Sequence, residues 1–231
     1  MKKTGVFLLL LCLLVSLSAC TPETPPEDAH EPTLHWQRDA TGKYLNDDSV
    51  KQLVTVQADD KTGAVVTLFE KSSENGKTVW TETLRCDAYI GLAGLGKTKE
   101  GDNKTPIGDF GITCAFGIKQ NPGTGVPYID VTENTYCCGD ENYYNQIIDI
   151  SECPHDCSNG EHMIEYSPEY NYGLFLDYNN EGTFGLGSAI FFHCRSAKPY
   201  TGGCIAVSEE DMLKILCAVD QNARFIIDYM P

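Results

Sequence analysis

The residues best suited to covalent chemistry in this sequence are a histidine and a cysteine eleven positions apart. His193 closes an apolar run, Ala189-Ile190-Phe191-Phe192, and Cys204 follows Thr201-Gly202-Gly203. A thiol beside an imidazole can ionise at neutral pH, and the thiolate is the nucleophile. Glycines next to it let backbone N–H groups approach a substrate oxygen, as an oxyanion hole requires. A helix just downstream can present its positive end to the same place. Each feature alone is commonplace, since a cysteine at a Gly-Gly turn is more often a small packed side chain. Their combination points to acyl transfer.

The elements that must position this pair read as mainly β. Three alternating runs, Val50 to Ala58, Ala64 to Lys71 and Thr78 to Ala88, are joined by Gly-bearing connections at 59–63 and 72–76, the pattern of an antiparallel meander. The glycine-rich stretch Gly91 to Gly96 lacks the Gly-Lys-Ser/Thr ending and the following helix that a phosphate-cradling loop needs, so it reads as turns. Residues 121–161 show no periodicity, and a loop this long is usually a lid or a stapled excursion. Strands are expected at Tyr172 to Tyr178, Ser188 to His193 and Phe225 to Asp228. One helix begins at a capping Ser208 and carries the apolar stripe Met212, Ile215, Leu216 and Val219.

The N-terminus carries Lys2 and Lys3, an apolar run and then Leu17-Ser18-Ala19-Cys20. This is the pattern of a secretory signal, with too few apolar residues to span a bilayer. Leu-Ser-Ala-Cys resembles a bacterial lipobox, which implies cleavage before Cys20, lipidation of its thiol and stable anchoring in the membrane. The expected organisation is a signal peptide at 1–19, a lipidated Cys20 with a Pro-rich flexible tether over 20–48, and a catalytic domain over 49–231. The expected location is outside the cell membrane, facing the wall. Loss of the signal removes two lysines and no acid, taking the net charge from −16 to −18. So acidic a body argues against nucleic acid as a partner.

Of eleven cysteines, nine remain once Cys12 leaves with the signal and Cys20 is lipidated. Export favours disulfides among the non-catalytic ones, with Cys153 and Cys157 expected to find partners in or near Tyr136 to Gly139. Cys137, Cys138, Cys153, His155, Cys157 and His162 also have spacings permissive for zinc. Disulfides are the favoured expectation, ahead of free thiols and of a metal site, and neither a metal nor a cofactor is assigned.

Four ordered stretches resemble the L,D-transpeptidase catalytic domain, also called the YkuD domain: Gly101 to Phe110, Asp177-Tyr178-Asn179, Gly187 to His193, and Thr201-Gly202-Gly203-Cys204-Ile205-Ala206. The resemblance implies a β-sandwich with one helix packed near the cysteine. It also implies Cys204 as nucleophile, His193 as general base, Gly203 and Cys204 as oxyanion N–H donors, and Thr201 lining the turn. The implied substrates are peptidoglycan stem peptides, cut with release of D-Ala and joined to a neighbouring amine, and carbapenem β-lactams are the implied covalent inhibitors. Many members carry His and Arg where this chain has Gly202 and Ala206, so Arg195 is the candidate to grip a substrate carboxylate. The rival readings are an L,D-carboxypeptidase that uses water as acceptor, and a non-catalytic, disulfide-stapled surface lipoprotein.

Overall fold

The computed structural model describes residues 41–59 and 61–230. The expected signal peptide, Cys20 and the tether as far as residue 40 lie outside the described residues. The meander forms as read, from β1 (Gln52–Ala58), β2 (Gly63–Glu74) and β3 (Lys77–Tyr89), paired antiparallel. The second hairpin is tighter than the 72–76 connection expected, because Asn75 and Gly76, at φ 51° and 74°, turn the chain in two residues. Positive φ at both central positions matches the right-handed twist of the flanking strands, and Asn-Gly adopts it readily.

Further strands are β4 (Gly108–Phe110), β5 (Ile112–Gly117), β6 (Tyr128–Asp130), β10 (Gly173–Leu176), β11 (Phe191–Cys194), β12 (Ile205–Val207) and β13 (Arg224–Tyr229). With the meander they form one ten-stranded sheet in the order β4-β13-β1-β2-β3-β12-β11-β10-β5-β6. Phe192 on β11 and Phe225 on β13 stand five strands apart in that order, roughly 24 Å on a flat sheet. Their ring centroids are 5.3 Å apart. The sheet therefore folds over on itself around a shared core, in which Val54, Val66, Leu174, Phe192, Ile205 and Phe225 are all buried. This is the mainly β sandwich expected.

Helix α1 (Glu209–Ala218) is capped by Ser208, whose oxygen accepts the Asp211 N–H at 3.1 Å. Its predicted stripe of Met212, Ile215, Leu216 and Val219 is buried in the same core.

Two regions differ from the reading of the sequence. Residues 41–45 are helical, and Tyr44 packs with Val50, Leu53 and Ile226 on the second face of β1. The Tyr44 hydroxyl donates to Asp109 at 2.7 Å, and Trp80 Nε1 donates to the Thr41 carbonyl at 3.0 Å. The expected tether over 20–48 is thus corrected at its C-terminal end, where an aromatic side chain finds apolar cover. The aperiodic stretch also holds order: β7 (Thr135–Cys138), β8 (Gln146–Asp149) and β9 (Glu161–His162) make a small sheet in the order β8-β7-β9. Strands this short carry too few residues to show an alternation.

Candidate active site

The nucleophile and base candidates come together through sheet register. β11 and β12 run parallel, with Phe192 opposite Ile205 and His193 opposite Ala206. Side chains alternate across a strand, so Phe192, Cys194, Ile205 and Val207 enter the main core, while Phe191, His193, Cys204 and Ala206 share the other face. That face opens on a cavity of about 740 Å³, which Cys204, His193, Lys97, Glu161, Tyr170 and Tyr200 help to line.

The thiol is held by backbone. Cys204 Sγ donates to the Ala189 carbonyl at 3.0 Å and accepts the Phe191 N–H at 3.3 Å. Burial, reinforced by the nearby Glu161 carboxyl, pushes its pKa up to about 12 against the opposing pull of the Phe191 N–H and Lys97. Ala189 reaches this position at φ 53°, a left-handed conformation unusual for a residue with a Cβ. The expected strand from Ser188 is accordingly kinked here and begins only at Phe191.

His193 Nδ1 lies 2.7 Å from the Cys194 carbonyl, which can only accept, so the proton sits on Nδ1 and Nε2 is the basic nitrogen. Burial holds the imidazole below its ordinary pKa. The edge of Tyr170 packs on it with centroids 5.6 Å apart, and the Tyr170 hydroxyl donates to the buried Glu161 carboxylate. Both members of the pair are therefore neutral at rest. Where the sequence offered a thiol able to ionise beside an imidazole, the structure turns the thiol toward Ala189 and sets the imidazole diagonal to it on the same face.

Two threonines fix the turn before the cysteine. Thr201 Oγ1 donates to the Cys204 carbonyl at 2.6 Å and accepts the Gly203 N–H at 3.1 Å. Thr105, fully buried, donates to the Gly203 carbonyl at 2.7 Å and accepts the Gly91 N–H at 2.9 Å. The Gly101 to Phe110 stretch thus braces the catalytic turn. Gly203 adopts φ 148°, and a Cβ there would lie 2.9 Å from the Lys104 carbonyl, so close packing of the two segments requires glycine. The Gly203 N–H, expected as an oxyanion donor, is bound to Thr201 Oγ1. The Cys204 N–H has no such internal partner among the described residues. The positive end of α1 is also answered locally, by Ser208 and by Glu209, Glu210 and Asp211 in its first turn.

Arg195, the candidate carboxylate grip, is not part of the cavity wall; its guanidinium stacks over Tyr89 at 5.6 Å. Two lysines do line the cavity, the exposed Lys198 and, with its side chain buried, Lys97, both overlooked in the sequence. Lys97 Nζ pairs with Asp102 at 3.0 Å, with side-chain exposures of 3% and 8%. Although burial works against ionisation of Asp102, the N–H groups of Thr98, Lys104 and Lys99 and the Lys97 ammonium hold its pKa down to about 2. Nothing in spacing marks Lys97. The one sign was its position between a glycine-rich run and the Gly101 to Phe110 motif.

All nine described cysteines are free thiols, so the disulfides expected at Cys153 and Cys157 are not formed. Cys137 is buried against the cavity, while its neighbour Cys138 faces the opposite way, toward His155 and Cys157.

The L,D-transpeptidase catalytic domain family, YkuD, matches residues 54–227. A solved structure similar to this chain is that of the helical cell shape determining protein Pgp2 from Campylobacter jejuni, at 17% identity and a TM-score of 0.39, with 85% of this chain and 57% of that chain covered. The chain thus spans little more than half of that protein's length. No curated protein matches the sequence.

Proposed function

We propose, from the premise that the chain belongs to the L,D-transpeptidase catalytic-domain family, that it is an exported peptidoglycan L,D-transpeptidase with Cys204 as nucleophile. The observation that carries this reading is the sharing of one sheet face and one cavity by Cys204 and His193. A donor stem tetrapeptide occupies the cavity with the carbonyl preceding its terminal D-Ala over Sγ. The thiol turns from Ala189, gives its proton to Nε2 of His193, and its sulfur bonds to the carbonyl carbon. The developing oxyanion is met by the Cys204 N–H. The C–N bond then breaks, and His193 returns the proton to the departing D-Ala amine.

An amine of a second stem attacks the thioester in the same geometry, restoring the thiol and forming the cross-link. Water in place of that amine makes the same acyl-enzyme an L,D-carboxypeptidase. Neutral partners suit this sequence, because proton transfer accompanies attack and no stable thiolate need be buried beforehand.

The N-terminal sequence supports export and lipid anchoring at Cys20. Cys20→Ser protein is expected to leave the membrane fraction, and retention there with normal processing would refute the anchor.

The activity is tested by incubating the chain with a stem tetrapeptide, with and without an amine acceptor, and following products by mass spectrometry. An acyl adduct on Cys204 with loss of D-Ala supports the reading. Cross-linked product with acceptor identifies the transpeptidase, and tripeptide alone identifies the carboxypeptidase. Turnover that survives Cys204→Ala would overturn both.

A further inference from the structure

We infer that Cys138, Asp140, His155 and Cys157 form a structural site for a thiophilic divalent metal ion, of which zinc is the chemical type. The site is separate from the catalytic pair. Its four donor atoms, two sulfurs, a ring nitrogen and a carboxylate oxygen, all lie within 4.8 Å of one another. Cys157 Sγ is 3.0 Å from Cys138 Sγ, and His155 Nε2 is 3.3 Å and 3.1 Å from the two sulfurs. Asp140 Oδ2 is 4.0 Å from the same nitrogen. Around a tetrahedral zinc, with bonds of about 2.0–2.3 Å, such donors stand roughly 3.3–3.8 Å apart. The cluster therefore reaches metal-binding geometry by small side-chain adjustments.

Three observations favour a metal over a chance gathering of polar groups. First, His155 is pre-oriented: Nδ1 donates to the Cys153 carbonyl at 2.8 Å, which leaves the Nε2 lone pair facing the two thiols. Fixing a ligating imidazole by its other nitrogen is the usual outer-shell arrangement. Its ring is further held by Tyr143, stacked at 4.3 Å. Second, the Asp140 N–H donates to Cys138 Sγ at 3.4 Å, a contact that stabilises a thiolate. Third, hydrogen bonding satisfies the group only weakly. One thiol proton can go to the Nε2 lone pair, and the other, on Cys157, finds only the weakly accepting Cys138 sulfur at 3.0 Å, while the Asp140 carboxylate brings further negative charge beside two nearly buried sulfurs. A divalent cation satisfies all four donors together, with the displaced thiol protons passing to solvent.

Two sulfurs, a nitrogen and an oxygen suit zinc better than magnesium or calcium, and four protein donors close the coordination sphere as in structural sites. The ion would clamp the end of β7 to the 153–157 loop. This loop system carries Gly139 and Asn159 to the cavity wall. It also carries Asn145, whose N–H bonds to the Cys138 carbonyl at 3.2 Å and whose Oδ1 accepts the Ala189 N–H at 2.9 Å. Cys153 is outside the cluster, although the sequence groups it with Cys157.

The test reads metal rather than turnover, so it stands or falls apart from the assignment of Cys204. The full chain, purified under reducing conditions without chelator, is analysed by elemental mass spectrometry, then stripped and titrated with cobalt(II). About one zinc per chain is expected, together with the intense visible absorption of tetrahedral cobalt and a thiolate-to-cobalt charge-transfer band. Cys157→Ser and His155→Ala should lower metal retention at least tenfold, while Cys153→Ser retains it. If a ligand variant fails to fold, the wild-type cobalt spectrum decides, since it reports both geometry and thiolate ligation. Folded wild-type protein that takes up neither ion would overturn the inference. So would a Cys138–Cys157 disulfide in protein isolated without reductant and with zinc present throughout.

Discussion

The molecule holds sulfur in two contrasting settings on either side of one short strand. At Cys204 the partners are a carbonyl and an N–H of the backbone, and burial keeps the thiol protonated. At Cys138 and Cys157 an imidazole nitrogen stands within 3.3 Å of each sulfur. The close cysteine–histidine contact anticipated for the nucleophile thus occurs in the other site. The difference teaches that reactivity and affinity ask opposite things of a thiol. A nucleophile must be restrained but free to turn toward substrate, whereas a ligand is locked among donors that leave it nowhere to go. Cys137 and Cys138, adjacent in sequence, face one environment each.

The comparison would break most decisively at Cys204. Replacing it by serine should lower acylation by a carbapenem or a stem peptide by at least about 10³-fold, because an alkoxide is far harder to generate with the same base. Intact-mass spectrometry reads the adduct. Cys153→Ser, with its sulfur in neither site, should acylate as wild type. An adduct on folded Cys204→Ser protein at the wild-type rate would remove the contrast between the two sulfur sites.

His193→Ala comes next, with a loss of about 10²–10⁴-fold in acylation rate and an unchanged circular dichroism spectrum. The pH profile sharpens this prediction. Since burial lowers the imidazole pKa from its usual 6.5, His193 remains a competent base somewhat below pH 6.5, and the rate should fall only on further acidification. The sign for stability is the same. The unfolded chain takes up the proton first, so stability present above pH 6.5 is lost as pH falls toward the folded pKa. His193→Ala should lack that loss, and a variant whose acid-side stability matched wild type would contradict the buried neutral imidazole.

How much of this was legible follows from the range of the forces involved. The meander, the capped helix and the glycine turn at Cys204 are local patterns, and each appeared where the residues indicated. Register between β11 and β12 then placed His193 and Cys204 on one face. The occupation of the Gly203 N–H by Thr201, the bracing by Thr105 and the tilt of Ala189 were not legible, because each depends on a side chain or carbonyl arriving from a distant segment. The same holds for Lys97 and Asp102, whose burial gives no periodic sign. In residues 135–162 three short strands and single-residue ligand spacings left nothing for pattern reading to grasp, although the cysteines and His155 were visible as a group.

Lys97→Met tests the buried cation of the cavity wall. Removing it leaves the Asp102 carboxylate buried with only backbone donors, at a cost of about 2–3 kcal/mol, below the usual range for a broken buried pair because three N–H bonds persist. Chemical denaturation measures this. For Asp102 itself, a folded pKa of about 2 against an ordinary 3.8 means stability that is present above about pH 4 and lost as pH falls toward 2. Asp102→Asn should therefore show a shallower acid transition. Equal stability of Lys97→Met and wild type would mean that the pair contributes nothing to this wall of the cavity.

The smallest effect is expected at Arg195, where sequence and structure disagree most directly about a single side chain. If it gripped substrate, Arg195→Ala would raise KM severalfold or more, since a bidentate guanidinium–carboxylate contact is among the stronger polar interactions. Its guanidinium instead lies 5.6 Å over the Tyr89 ring, outside the cavity lining, and its N–H bonds to the Val207 carbonyl at 2.7 Å through backbone that alanine retains. What alanine removes is one half-buried cation–π contact, worth about 1 kcal/mol. The expected outcome is a melting temperature lowered by a few degrees or less and acylation kinetics within about twofold of wild type, against the much larger losses at Cys204 and His193. Steady-state measurement of KM and kcat with a stem peptide separates the cases. A KM raised tenfold at constant kcat would return Arg195 to the substrate and require the loop at 195–200 to reorganise when the cavity fills.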